Sequence, residues 1–342
     1  MNRRNEKRAW KAASFIGLSL GLALTAWLVS AASLTAVIQS ITTIGWGVLA
    51  VVMVRAVMIA ANGVAWAGLL AHLINVPTRV FVLLRWVREA VDELLPVAYV
   101  GGGLVGARML TFWRVSGAVA VASAAVDLLL QIVAQALFAL FGALLLMHLI
   151  GTRNVLPSAI LGAVAAVIVI GGFYIVQRYG GARAIDRALI LLSSRVASHT
   201  PATPEPGLQL AMDVIWNGRR FYIVMALLVH AFAWTLGTLE VWFALYFMGW
   251  PVTLEQAVIL ESLGASISIA AFIIPGSWGV QEAGYVLIGH ILGLPVQFSL
   301  PLSLVKRIPD FLLGVPGLLI WHALETRRLF FPSKPSPLND PE

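Results

Sequence analysis

The stretch Pro275-Gly276-Ser277-Trp278-Gly279-Val280-Gln281-Glu282 lies among apolar runs long enough to cross a bilayer, and it sets helix breakers and a carboxylate there. Lipid offers no partners to backbone N–H and C=O groups. A helix can therefore break at membrane depth only where protein or a watery cavity satisfies the freed groups. Other helices must enclose this stretch, which makes it a candidate site.

The rest of the chain supports a bilayer as solvent. Of 342 residues, 60% are hydrophobic and 11% are charged, against about 25% charged in soluble domains. The chain reads as an all-α polytopic membrane protein, a single integral membrane domain over 1–342. The run 12–30 follows Arg3, Arg4, Lys7, Arg8 and Lys11 and has the outline of a signal peptide, but apolar runs continue through the chain and favour a retained first span. With no cysteine, disulfides and thiolate metal sites are excluded. The six histidines show no ligand-type spacing, so neither metal nor cofactor is expected. The net charge of +7 comes from short Lys/Arg clusters between apolar runs, a topology signal and not a nucleic-acid face.

Spans need about 20 apolar residues, and six runs qualify: 12–33, 44–73, 116–150, 156–176, 221–249 and 297–323. Two segments fit less well, 80–114 around Pro96 and 254–293 around Pro275. As helices, the arms 80–95 and 97–114 reach only ~24–27 Å, short of a core of ~30 Å. We expect two re-entrant helical hairpins, opposed across the membrane; charge does not settle whether 254–274 crosses fully. The N-terminal tail, the loop 177–220 and the segment after 324 hold 14 of the 23 Lys and Arg residues. This bias places both termini and that loop in the cytoplasm. Residues 12–150 and 156–324 then share one layout begun from opposite sides, as in an inverted repeat with a substrate site between the halves. Residues 182–196 read as an interfacial helix, and the Pro-rich tail 332–342 as disordered.

Gly101-x-Gly103-x-x-Gly106 matches a dinucleotide fingerprint, but no strand precedes it. Two readings stay open for it: a helix N-terminus whose free N–H groups attract an anion, with Gly101 and Gly102 at the break, or close helix packing through small residues. Glu282 either favours its own helix dipole or binds a cationic head group or a proton. Lys306 and Asp310, four apart, are expected to neutralise one another. That leaves Arg307 as a phosphate ligand or as the partner of Glu282 or Glu261. Arg85/Glu89 and Arg88/Asp92 are i,i+4 pairs. Arg108 has no evident partner, Arg55 and Glu240 lie at similar depth and could pair, and Asp127 stands alone in its span.

These residues carry a resemblance. Ile274 to Gly317, with Pro275-Gly276-x-x-Gly279-x-x-Glu282 and then Lys306-Arg307 and Asp310, resembles the lysylphosphatidylglycerol synthase transmembrane, or flippase-like, family. Arg85-Trp86-x-Arg88-Glu89-Ala90-Val91-Asp92-x-Leu94-Leu95-Pro96, with Gly101-Gly102 and Gly106-Ala107-Arg108, is similar to its hopanoid-biosynthesis-associated branch. The resemblance implies a bacterial inner-membrane protein that moves an anionic phospholipid or a hopanoid between leaflets. A non-enzymatic accessory delivering lipid to hopanoid-pathway enzymes is the second expectation. An intramembrane head-group transferase is the third; full-length aminoacyl-lipid synthases carry a separate soluble transferase domain that this sequence lacks, so no enzyme activity is expected. The expected site lies between the Pro96 and Pro275 hairpins, with Arg108 and Arg307 on phosphate and Glu282 gating.

Overall fold

The computed structural model describes residues 34–95, 101–151, 156–179, 207–271, 274 and 277–330. Within them every regular element is helical. In chain order these are α1 (Leu34–Thr43), α2 (Gly47–Leu70), α3 (Thr78–Leu94), α4 (Gly101–Leu110), α5 (Gly117–Ile150) and α6 (Leu156–Tyr179). Then follow α7 (Leu208–Asn217), α8 (Arg220–Phe247), α9 (Leu254–Ala270), α10 (Val280–Ile291), α11 (Val296–Lys306) and α12 (Ile308–Phe330). The expected first span 12–33, the surface helix 182–196, the tail 332–342 and the bend residues Pro96, Pro275 and Gly276 lie outside the described residues.

Among the described helices, α2, α5 and α8 are long and apolar enough to cross a membrane. They pack on one another and frame the molecule. Their outer faces carry Leu49, Met53 and Val57 on α2, Leu137, Phe141 and Leu144 on α5, and Val224, Leu228 and Phe232 on α8, all exposed. The three-to-four-residue spacing makes apolar stripes, while Arg88, Asp127, Glu240, Glu261, Glu282, Lys306 and Arg307 are buried inside. In a soluble protein the charges would face out; this distribution suits a lipid solvent.

Two large apolar clusters and a small one around Leu300 occupy the interior among the described residues. One gathers Trp66, Phe81, Leu84, Met109 and Ile215; the other gathers Val51, Val241, Leu245, Ile259, Tyr285 and Leu302. Helices α2 and α8 contribute to both, so they hold the two ends of the bundle in register.

The segment 80–114 folds as two packed helices, α3 and α4, whose directions oppose. Gly102 meets Arg88 and Asp92, and Gly106 meets Arg88 and Trp66. The glycines that face α3 are thus four apart, the spacing of close helix packing. Gly103 has open space around it. In 254–293, α9 and α10 also run against each other, with Gly264 on Tyr285 and Gly284 on Ile267. A capping box starts α9: Thr253 Oγ accepts from the Gln256 N–H, and Gln256 Oε1 accepts from the Thr253 N–H.

One expected span is corrected. Residues 297–323 are two helices, α11 and α12, that part at Arg307. Pro309 has no N–H to offer the Val305 carbonyl, and its ring is tolerated in the first turn of a new helix. The Arg307 N–H instead reaches back three residues to the Leu304 carbonyl, at 3.1 Å.

Close backbone approach makes one packing contact testable. A Cβ at Gly63 on α2 would collide with the backbone of Val82 on α3, which cannot swing aside as a side-chain tip would. Gly63→Val is expected to destabilise the protein by about 1–3 kcal/mol, read as a lower denaturation midpoint in detergent.

Candidate functional site

The buried charges form two networks, one beside each large apolar cluster. In the first, Arg88 Nη1 donates to Asp127 Oδ2 at 2.8 Å. His230 bridges Asp127 Oδ1 and Asn62 Oδ1 at 3.0 and 2.8 Å. Gln131 donates to Asp127 Oδ2 and accepts from Arg85, which also donates to Glu89. The Arg88 guanidinium lies over Trp66, 4.8 Å from the ring centre. These groups come from α2, α3, α5 and α8.

In the second network, Glu240 on α8 is 0% exposed and accepts from Arg55 of α2 and Lys306 of α11 at 2.8 Å each. Lys306 also donates to Glu261 of α9 at 2.7 Å, and the Tyr285 hydroxyl of α10 donates to the same carboxylate oxygen. Arg55 reaches Asp310 at the start of α12, at 3.3 Å. Beside this chain Arg307 Nε donates to Glu282 Oε1 at 2.7 Å and stacks its guanidinium 4.0 Å from the centre of the Trp278 ring. The parting of α11 from α12 explains the geometry: Lys306, Arg307 and Asp310 no longer share one helical face, so each finds a different helix.

Lys306 and Asp310 therefore do not neutralise one another as the spacing suggested. Asp127 is not solitary, and Arg88 goes to Asp127 across helices instead of to Asp92 along its own. The expected Arg55–Glu240 and Arg85–Glu89 pairs form. Arg307 takes Glu282, the second of its two readings.

Both helix N-termini that were candidate anion sites hold carboxylates of this chain. Asp92 Oδ1 accepts from the Gly102 N–H at 2.8 Å, and Glu282 Oε2 accepts from the Gly279 N–H at 2.6 Å. Gly279, at φ +79°, can adopt this turn because it lacks a Cβ. Gly101 opens α4. Arg108 is 65% exposed in its side chain and pairs with Glu325 near the far end of α12. Glu325 is eighteen residues beyond Arg307, about 27 Å along the helix at ~1.5 Å per residue, so Arg108 and Arg307 do not converge on one phosphate.

The two networks approach each other at a narrow cavity between α2, α3 and α12. Arg55, Trp86, Glu89, Glu93, Pro309 and Asp310 line it, and it has room for about one water. His230, Asn62, Tyr285 and Trp278 were missed from sequence as members of these networks. For His230 a signal existed, a titratable group within a span that also needs a partner for Asp127. Tyr285 and Trp278 carry none beyond their place near the Pro275 break.

Interior charge of this kind, held by helices with apolar outer stripes, is costly in a bilayer and is a mark of membrane functional sites in general. A family model described as the lysylphosphatidylglycerol synthase TM region matches residues 14–317. The chain belongs to that family. Neither a curated protein nor a solved structure matches it. Membership makes this a membrane protein of a lipid-related family, and the matched stretch contains both networks and the α11–α12 break.

Proposed function

We propose that this member of the lysylphosphatidylglycerol synthase TM region family is a lipid flippase of the bacterial inner membrane, with both termini cytoplasmic, and that its cargo is a hopanoid or another lipid of hopanoid-producing cells. The observation that carries the reading is the sharing of partners in the second network. Glu240 serves two cations, Lys306 serves two carboxylates, and Arg55 serves Glu240 and Asp310. A charged head group can replace one partner in such a chain while the others remain paired, which lowers the cost of carrying it through the bilayer. Arg55 and Lys306 face Glu240, Glu261 and Asp310, two cations to three carboxylates. When all are ionised the surplus attracts the cationic part of a head group, while a phosphate would have to displace Glu282 to meet the Arg307 guanidinium. The α3–α4 and α9–α10 pairs would be the re-entrant hairpins that flank this path, related as the halves of an inverted repeat. Movement of charge, without bond making, is what such pairs support, so the protein acts as a transporter and not as an enzyme.

Hopanoid involvement rests on the similarity of the Arg85–Pro96 and Gly101–Arg108 stretches to the hopanoid-associated branch. The test is leaflet-resolved lipidomics, hopanoids included, on cells with and without the protein, complemented by wild type or Arg307→Ala. A lipid stranded in the inner leaflet and rescued by wild type alone is the expected result. Unchanged leaflet distributions with altered total hopanoid chemistry would instead indicate an accessory of hopanoid synthesis.

A further inference from the structure

The narrow cavity between α2, α3 and α12 carries more negative charge than its walls compensate. Glu89, Glu93 and Asp310 line it together with one cation, Arg55. Two of these carboxylates have partners. Glu89 accepts from Arg85 at 2.8 Å. Asp310 meets Arg55 at 3.3 Å and sits in the first turn of α12, where the partial positive charge of a helix N-terminus favours an anion. Glu93 has neither kind of support: it makes no hydrogen bond or ion pair among the described residues. The charges that act on it are those of Asp310, Glu89, Arg55 and Arg307, and both cations are engaged elsewhere. Arg55 places Nε and Nη2 on Glu240 and Nη1 on Asp310, and Arg307 is on Glu282. Helix α4 also packs on α3, but its Arg108 is on Glu325. Glu93 lies fifteen residues past Thr78, about 22 Å along α3 at ~1.5 Å per residue. An ionised carboxylate without a cation is costly at such a depth, and a neutral acid is far less so.

We propose that Glu93 is a proton-exchange site, protonated while Arg55 is paired with Asp310, and that its deprotonation draws Arg55 off Asp310. In that step the O–H bond of the acid breaks and the proton passes to water in the cavity, which has room for about one molecule. The carboxylate left behind accepts from Arg55 Nη1. The Arg55–Asp310 contact is the one that yields. At 3.3 Å it is longer than the other ion pairs of the second network, which lie at 2.7–2.8 Å. Asp310 follows the parting of α11 from α12 by three residues, so its release frees the first turn of α12 beside Arg307 and Glu282. Trp86 Nε1 donates to the Leu313 carbonyl at 2.7 Å and pins α3 to α12 one turn further on, which confines the change to that first turn. A proton is favoured over a metal ion as the occupant, because among the described residues no three His, Asp or Glu side chains come close enough to hold one.

On the transport reading, on which this part of the inference rests, the proton couples lipid movement to a pH gradient. The site itself is read without transport. Full-length protein in nanodiscs of phosphatidylglycerol and phosphatidylethanolamine is titrated from acid to alkaline pH and followed by infrared difference spectroscopy, which separates the C=O stretch of a protonated carboxyl from the carboxylate bands. A protonated-carboxyl band that disappears on alkalinisation in the wild type and is missing from Glu93→Gln is the expected result. Glu93→Gln resembles the neutral form, so its denaturation midpoint should equal that of the wild type at acid pH. Glu93→Asp keeps the acid and should keep the band at a shifted frequency, which assigns the band even if the amide variant folds poorly. A band that survives in Glu93→Gln and stays unmoved in Glu93→Asp overturns the proposal. So does a band abolished by sodium at constant pH, which would make a metal cation the occupant. In proteoliposomes with the membrane potential clamped, one proton per lipid turns a gradient of one pH unit into a factor of about ten in the leaflet ratio of a labelled lipid, and Glu93→Gln should lose that response. Lipid that moves in the wild type without responding to the gradient sinks the coupling and leaves the flippase reading standing. No movement in the wild type, with the Glu93 band present, supports the proton site and sinks the flippase reading.

Discussion

Lys306→Met is expected to destabilise the protein more than any substitution on the lipid-facing surface, by about 3–5 kcal/mol in a denaturant titration in detergent. Lys306 is buried and lies within 2.8 Å of both Glu240 and Glu261, which are buried as well. Methionine fills similar space but leaves two carboxylates near each other with one less cation between them. Glu240 keeps Arg55, whereas Glu261 keeps, among the described residues, the Tyr285 hydroxyl as its donor, at 2.9 Å. The double variant Lys306→Met/Glu261→Gln should regain most of the loss, because a neutral amide can still accept from Tyr285. If the single and double variants lose stability equally, charge compensation is not what Lys306 contributes and packing must be invoked instead.

How far the networks could be read from sequence depended on whether the partners lay along one helix or across several. Arg85–Glu89 is four residues apart on α3 and needs only the helical repeat. Arg55–Glu240 spans 185 residues, yet both sit near the same depth in long apolar helices, so membrane geometry suggested them to each other. Asp127 gave no such cue. Its partners Arg88 and His230 are 39 and 103 residues away on other helices, and a nearly uniform apolar helix such as α5 does not reveal which face meets which neighbour. The parting at Arg307 was legible in principle from Pro309. It was obscured because hydropathy stays high across 297–323, and hydropathy reports solvent, not continuity of the helix. The sequence offered packing as one of two readings for the glycines of 101–106, and the position of α3 against Gly102 and Gly106 supplied the choice.

Asp127→Ala should produce the second large effect, again about 3–5 kcal/mol, because three helices lose their shared acceptor at once. Arg88 is 3% exposed and His230 0%; without Asp127 the guanidinium keeps the Trp66 ring as its neutral neighbour, and that contact does not replace a carboxylate. Replacing both partners, Arg88→Met with Asp127→Leu, should cost less than the sum of the single changes, since an apolar pair avoids the unmatched charge; a coupling of about 2–3 kcal/mol in the double-mutant cycle is expected. The same variant separates structure from function. A protein whose first network only holds α3, α5 and α8 together would, once repacked with apolar groups, fold and still move lipid in reconstituted vesicles. A protein that uses those charges to relay a head group past the cavity lined by Glu89, Glu93 and Asp310 would fold and lose transport. The flippase reading requires the second outcome at one or both networks, because paired charges that only fix the fold can be replaced by apolar packing without loss of function.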